Sequence, residues 1–538
     1  MKRFHLILLS SLSGLLLSIA WPMYGLPSLL FTAFVPLLII EDHFWKQKNI
    51  NSVFSIVPYL LWSFFIWNLL TTWWIVHSTA VGAALAIVLN SIFMTVFFVL
   101  FHFVRRTLTK PSQGYLSLVF FWITFEFIHH HWDLNWPWLS LGNGFSAYPT
   151  WIQWYEFTGI FGGSVWVLAV NILIFLSWKK LRQRYSAKKM LSRSALVFSL
   201  ILLPILISQI IYKTWEEDKG QPVDIVVVQP NVDPYGEQYE LPPLEIADRI
   251  WDLAVQKLDE EVQFIVCPES AIQEYVWEEN MNNTPSVNHF REYLYDYPGA
   301  SIVIGLSSRR MLEPAEKLTP GARKFRDADL YYEAYNTAMI FDTSSHFQLY
   351  HKSKLTPGVE VMPLVRYVKF IENLAFDLGG TVGTLGVDEE RTPFSTSEGL
   401  KIGTAICYES VYGEFMAGFV KNGADLIFVI TNDGWWENTA GHRQHLLFSS
   451  VRAIETRRAI ARSANTGISC FVNKRGDILQ ATNYWEPDVI RQTVYTGDGQ
   501  TFYVRFGDYI ARISSFGAVL MLLISVMLRL KNKNVAKA

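Results

Sequence analysis

The sequence predicts a polytopic α-helical membrane domain of eight spans carrying an extracytoplasmic α/β domain, and three observations support that prediction. Residues 4–40 and 54–104 contain no Asp, Glu, Lys or Arg, runs longer than a soluble core helix needs and long enough to cross a bilayer. Basic residues cluster at Lys2 and Arg3, Lys46 and Lys48, Arg105, Arg106 and Lys110, "KKLRQRYSAKKMLSR" (179–193) and "RLKNKNVAKA" (529–538). With eight spans, every cluster falls on one side. From about 214 to 507 charged residues return and short β-branched runs alternate with amphipathic stretches, as in a layered α/β domain.

Taken in order, the apolar runs read as spans at about 4–21, 25–41, 54–76, 81–104, 115–130, 157–178 and 194–213, with an eighth at about 510–528. The opening "MKRFHLILLSSLSGLLLSIA" also has the shape of a signal peptide. The next apolar run begins only a few residues later, so an uncleaved first helix is expected. By the positive-inside rule the basic side is the cytoplasm, which puts 214–507 outside it. In that segment "VDIVVVQP" (223–230), "VQFIVCPES" (262–270), "ASIVIGLSS" (300–308), "LKIGTAICYES" (400–410) and "ADLIFVITND" (424–433) read as buried strands bounded by turn residues. "PLEIADRIWDLAVQKLDEE" (243–261) and "GHRQHLLFSSVRAIETRRAIARSA" (441–464) have helical spacing.

Composition narrows the function classes. The 538 residues are 51% hydrophobic, 15% aromatic and carry a net charge of only −2, without a long run of either sign, so nothing points to a nucleic acid partner. Cys267, Cys407 and Cys470 are odd in number and lack C-x-x-C spacing, which suggests neither a disulfide framework nor a zinc site. "HHH" (129–131) and the pair His442 and His445 lack the further ligands a metal site requires.

Three apolar runs end at a residue with reactive potential: Glu269 after "VQFIVCP", Lys352 after "HFQLYH" and Cys407 after "KIGTAI". Together they make a set for acyl transfer, since a carboxylate accepts the thiol proton and a lysine stabilises a thiolate or oxyanion. No cofactor or metal is expected. Singly, each residue has an ordinary explanation: a small buried thiol, a helix N-terminal carboxylate, a solvated loop lysine.

In combination, "CPES", "YHKSKLTPGVE" and "ICYES", in that order, resemble the nitrilase (carbon–nitrogen hydrolase) superfamily and its Glu-Lys-Cys triad over about 222–495. The likeness extends to the apolipoprotein N-acyltransferases of that superfamily through "NWPWLSLG" (135–142) with Trp122 and Glu126, "TNDGWWENTAGHRQH" (431–445) and "TFYVRFGD" (501–508). Two positions depart from the family pattern. Pro357-Gly358-Val359-Glu360 stands where the family has Pro-Phe-Gly-Glu, and His129 stands where an arginine is expected. The register to Glu360 is what selects Lys352 over Lys354.

The resemblance implies an αββα sandwich at 222–495 between a seven-span region, 1–213, and a C-terminal membrane helix, 508–530, in a bacterial inner membrane with the catalytic domain on the periplasmic side. It implies transfer of an acyl chain from the sn-1 position of a phospholipid to the α-amine of a diacylglyceryl-cysteine lipoprotein, through a thioester. Glu269 is then the general base, Lys352 the cation that stabilises the oxyanion, and Cys407 the nucleophile. Tyr408 supplies a backbone N–H to the oxyanion, Glu360 and Glu409 support the site, and Trp435 and Trp436 contact lipid. A monomer suffices for this chemistry. The alternatives are a membrane-tethered amidohydrolase with the same triad, and a transporter or receptor with an extracytoplasmic sensing domain in which Cys407 is structural.

Overall fold

The charge-free runs form helices. The computed structural model describes residues 1–22, 24–108, 113–183, 187–361 and 384–535; Lys110, Arg184 and Lys537 of the basic clusters lie outside them. Among the described residues seven helical stretches are long and apolar enough to cross a membrane: Arg3–Ala20, Pro27–Lys46, Val53–His77, Ala80–Thr107, Tyr155–Leu181, Ala187–Thr214 and Tyr509–Asn532. The run expected at 115–130 forms the 13-residue helix Leu116–Ile128, shorter than the roughly 20 residues that a bilayer core takes.

The chain divides into two units, one of residues 1–76, 80–214 and 506–538 and the other of 77–79 and 215–505. In the helical unit the second stretch breaks at Phe34, ahead of Pro36. Asn171 satisfies the break, accepting from the Phe34 N–H at 2.8 Å and donating to the Leu30 carbonyl at 2.7 Å, because an apolar surround offers these groups no water. Glu126 likewise accepts from Trp122 Nε1 at 2.9 Å, the Leu141 N–H at 2.8 Å and Ser164 Oγ at 2.6 Å. The "NWPWLSLG" turns are thereby fastened to two helices.

The second unit is a pair of sheets flanked by helices. Its strands are β1 (Pro222–Gln229), β2 (Phe264–Val266), β3 (Ile272–Trp277), β4 (Ser301–Met311), β5 (Arg323–Lys324), β6 (Tyr331–Phe341), β7 (Phe347–His351), β8 (Phe394–Ser395), β9 (Lys401–Ile406), β10 (Leu426–Thr431), β11 (Ile460–Ala464), β12 (Cys470–Val472), β13 (Ile478–Leu479) and β14 (Asp488–Tyr495). One sheet runs β14-β1-β2-β4-β6-β5, with β3 on β4 and β7 on β6; the other runs β13-β12-β11-β10-β9-β8. Both have parallel centres, β1-β2-β4 and β9-β10-β11, with antiparallel flanks. Central strands such as "LIFVIT" are apolar on both faces, which is how a parallel strand covered on each side reads.

Between the sheets, Phe264 of β2 meets Phe428 of β10 edge-on at 5.4 Å. Outside the first sheet, helices Pro243–Ala254 and Pro285–Leu294 bury Ile246, Ile250, Val287 and Phe290 against Val226, Val228 and Ile302. Helices Gly413–Lys421 and Ala440–Thr456 belong to the second sheet's side. The layers are those of the αββα sandwich that the resemblance implies. The helix expected over 441–464 stops at Thr456, where Arg457 turns left-handed at φ 51°, and Ile460–Ala464 continues as β11.

Candidate active site

The reactive side chains sit where strands end. Cys407 follows β9 at φ 50°, a left-handed conformation that costs a non-glycine residue and recurs at functional turns. The 3-10 turn Cys407–Val411 begins there, so the first N–H groups of that turn, Tyr408's among them, point out of its start. Glu269 lies three residues beyond β2 and is followed by β3, not by a helix. Lys352 is the residue after β7.

Lys352 Nζ is 3.1 Å from Glu269 Oε1 and 2.9 Å from Glu360 Oε1, with all three side chains largely removed from solvent. Burial acts to lower the lysine pKa, but the two carboxylates outweigh it and hold the group well above its ordinary value. Burial also opposes ionisation of Glu360, yet Lys352 and the Thr356 N–H hold that carboxyl below the usual range. Cys407 stays partly accessible. Its thiol is pushed well above the ordinary range, by burial first and by the charge of Glu269 second, against the pull of Lys352 and a hydrogen bond with Thr431. The resting group is therefore a thiol, and it must lose its proton as it attacks.

Several polar groups that sequence reasoning missed complete the site. Asn336 of β6 donates Nδ2 to Glu269 Oε1 at 2.8 Å and to Glu360 Oε1 at 2.9 Å. The Asn432 N–H donates to Glu269 Oε2 at 3.0 Å. Under the nucleophile, His445 Nε2 is 3.1 Å from the Cys407 carbonyl and 2.9 Å from Ser410 Oγ. Its Nδ1 is 2.9 Å from Asp433, which Arg462 grips at 2.6 Å. Burial tends to raise the Asp433 pKa, but Arg462 and His445 hold it far below. His442 instead stacks on Tyr484 at 4.0 Å. The available signal for Asn336 was an amide inside the apolar run "YNTAMIF", a residue type that strands disfavour.

Glu409 is fully buried and accepts from the Ile406 N–H at 2.8 Å, the Ser353 N–H at 2.6 Å, the Lys354 N–H at 3.2 Å and Tyr350 OH at 2.8 Å. It ties the nucleophile turn to the lysine loop. Trp435 and Trp436 are half-buried in the 3-10 turn Asp433–Trp436 that Asn432 caps. The ring of Trp435 meets Tyr235 edge-on at 5.3 Å and that of Trp436 meets His445 at 5.6 Å. The Pro357-Gly358-Val359-Glu360 loop keeps Glu360 on Lys352, with Gly358 at φ 85°.

Two facing sheets with parallel centres, flanked by helices and presenting side chains at strand ends, are consistent with a carbon–nitrogen hydrolase. That family's model matches residues 227–501, and the chain belongs to it. Its branch is that of the apolipoprotein N-acyltransferases: residues 13–173 match the N-terminal domain of that group, and relatives follow the chain almost end to end. The chain is 28% identical to an apolipoprotein N-acyltransferase of Chlorobaculum tepidum over 93% of each. It is 25% identical to that of Geobacter metallireducens, over 96% of this chain and 94% of the relative, and 24% identical to that of Thermotoga maritima, over 98% and 95%.

Proposed function

We propose that the protein transfers an acyl chain from a phospholipid to the α-amine of a diacylglyceryl-cysteine lipoprotein, in two half-reactions at Cys407. The supporting observation is the contact of Lys352 with Glu269 and Glu360, in electrostatic reach of a partly accessible thiol, within a chain whose described residues include seven long apolar helices. In the first half-reaction Glu269 takes the Cys407 proton as sulfur attacks the sn-1 ester carbonyl. The ammonium of Lys352 and the Tyr408 N–H hold the oxyanion. The ester C–O bond breaks, Glu269 returns the proton to the departing alkoxide, and a thioester and a lysophospholipid result.

In the second half-reaction the free α-amine attacks the thioester, Glu269 takes a proton from nitrogen, and the C–S bond breaks. Glu269 then returns the proton to sulfur. A thioester suits this step because an amine attacks it more readily than an ester. The lipid nature of both substrates fits eight spans, with Leu116–Ile128 as the short one, and a periplasmic site in a bacterial inner membrane, where acyl chains need not enter water. Trp435 and Trp436 would then contact those chains, while Glu360 and Glu409 fix the lysine and the nucleophile turn. A single copy supplies every group named.

Incubating the full-length protein with a labelled phospholipid and a diacylglyceryl peptide tests the reading. The expected products are an acyl adduct on Cys407 by intact mass and an N-acylated peptide. Free fatty acid without peptide acylation would instead establish the amidohydrolase-type reaction, with water as the second nucleophile. An unchanged turnover in Cys407→Ala would remove the nucleophile assignment.

A further inference from the structure

The residue before Lys352 is not used in that chemistry, yet it is as closely held as the lysine. His351 Nδ1 is 2.8 Å from Asp388 Oδ1 and Nε2 is 2.9 Å from Glu278 Oε1. Its ring stacks on Tyr335 with centroids 4.0 Å apart, and its backbone N–H donates to Asp388 Oδ2 at 2.8 Å. Carboxylate oxygens accept and do not donate, so only an imidazolium, with a proton on each nitrogen, satisfies both partners. A neutral ring would donate to one and turn a lone pair on the other. The remaining groups close the circuit: Ser308 donates to Glu278 at 2.6 Å, and Arg310, which reaches Tyr335 OH at 3.4 Å, adds its charge in favour of ionised Asp388. Lys352 is the neighbouring charge along the chain.

Asp388 also grips the other side of the lysine, since Ser353 Oγ donates to its carbonyl at 2.7 Å. The residues just before it are bonded to the site as well. The Leu385 N–H donates to the Glu360 carbonyl at 3.0 Å and the Gly386 N–H to Ala334 of β6 at 2.9 Å. Gly386 packs so tightly that a Cβ there would enter the Tyr335 ring. We infer that His351, held as a cation between Glu278 and Asp388, is a positioning residue that fixes Lys352 and Glu360 for reaction at Cys407. This rests on the reading of Lys352 as the cation of the site. Burial acts to lower the His351 pKa, but the two carboxylates carry it up to about 9, so the clamp is intact at neutral pH and opens in mild alkali.

The test compares the full-length protein with its His351→Gln, His351→Arg and Asp388→Asn variants from neutral pH to about pH 10, by two readouts. One is lysophospholipid release in the first half-reaction; the other is alkylation of Cys407 by iodoacetamide, which requires no lipid. Loss of one charged hydrogen bond in His351→Gln is expected to slow both roughly tenfold, with KM nearly unchanged and the wild-type break near pH 9 abolished. Asp388→Asn should slow both likewise and move the break to lower pH, since His351 keeps Glu278 but loses one of its two carboxylates, and it decides the matter if His351→Gln does not fold. His351→Arg, a cation that does not titrate in this range, should recover the rate and also lack the break. A break near pH 9 that persists in His351→Gln overturns the inference, as does an Arg variant of wild-type melting temperature and Gln-like rate. If the acyl-transfer reading is what fails, the wild type itself releases no lysophospholipid, and the alkylation series still reports on His351.

Discussion

At Glu269 and Lys352 the chemistry separates cleanly into two variants. Because burial and Glu269 keep the resting thiol protonated, a base must act during attack, and Glu269→Gln is expected to slow thioester formation by about 10²–10⁴ while leaving Cys407 in place. Stopped-flow release of lysophospholipid measures this; a Glu269→Gln rate within a few-fold of wild type would assign the base elsewhere. Lys352→Met leaves Glu269 and Glu360 as uncompensated buried charges, so it should lower stability by about 3–5 kcal/mol, read as a fall in melting temperature, in addition to abolishing activity. The three residue types were legible in the sequence because each interrupts an apolar run at a strand end. Asn336, His445 and Arg462 were not, since their partners lie 24 to 67, 12 to 38 and 17 to 29 residues away, and only the pairing of strands brings such separations together.

Among the elements, β4 constrains the base. Gly305 faces the Glu269 turn, where an added Cβ would come within 2.6 Å of Glu269 Cα and 2.7 Å of the Ser270 N. Main-chain atoms cannot swing aside, so Gly305→Ala must displace the turn. A shift of this kind is expected to cost about 10²-fold in rate and about 1–3 kcal/mol in stability; unaltered kinetics would mean that the turn yields without moving the carboxylate. The same strand shows what pattern reading recovers: β1, β4, β9 and β10 are apolar runs bounded by turn residues, and the sequence marks them. The stretch 441–464 was misread as one helix because a short buried strand and a buried helical turn have the same apolar content, and the left-handed turn at Arg457 leaves no glycine or proline to mark it. Phe394–Ser395 and Ile478–Leu479 are two residues each, too short to express any period. The second span likewise looks continuous in composition, although it breaks at Phe34, because Asn171, far along the chain, takes up its free groups.

On the scale of the whole catalytic fold, Glu409 is one stitch between its two sheets, bonded to Ile406 at the end of β9 on one side and to Tyr350, Ser353 and Lys354 at the end of β7 on the other. Burial, against those hydrogen bonds, pushes its pKa up to about 7 from an ordinary 4.5. The ionised carboxylate accepts from all four donors, whereas a protonated one must give up a lone pair and weaken this join. The rate of the first half-reaction should therefore rise with pH through about 7 and hold level until the His351 break near 9. Stability should move the opposite way. A carboxyl whose folded pKa is raised binds its proton more tightly folded than unfolded, so its contribution to stability is lost as pH rises from about 4.5 to about 7 and is constant above. Glu409→Gln cannot titrate, and its amide turns a donor on groups that themselves donate. Its expected signature is a lower plateau rate with no limb near neutrality and a melting temperature that no longer falls across that interval relative to wild type. Parallel pH–rate curves for the two proteins would show that the joint between the sheets is held by other contacts.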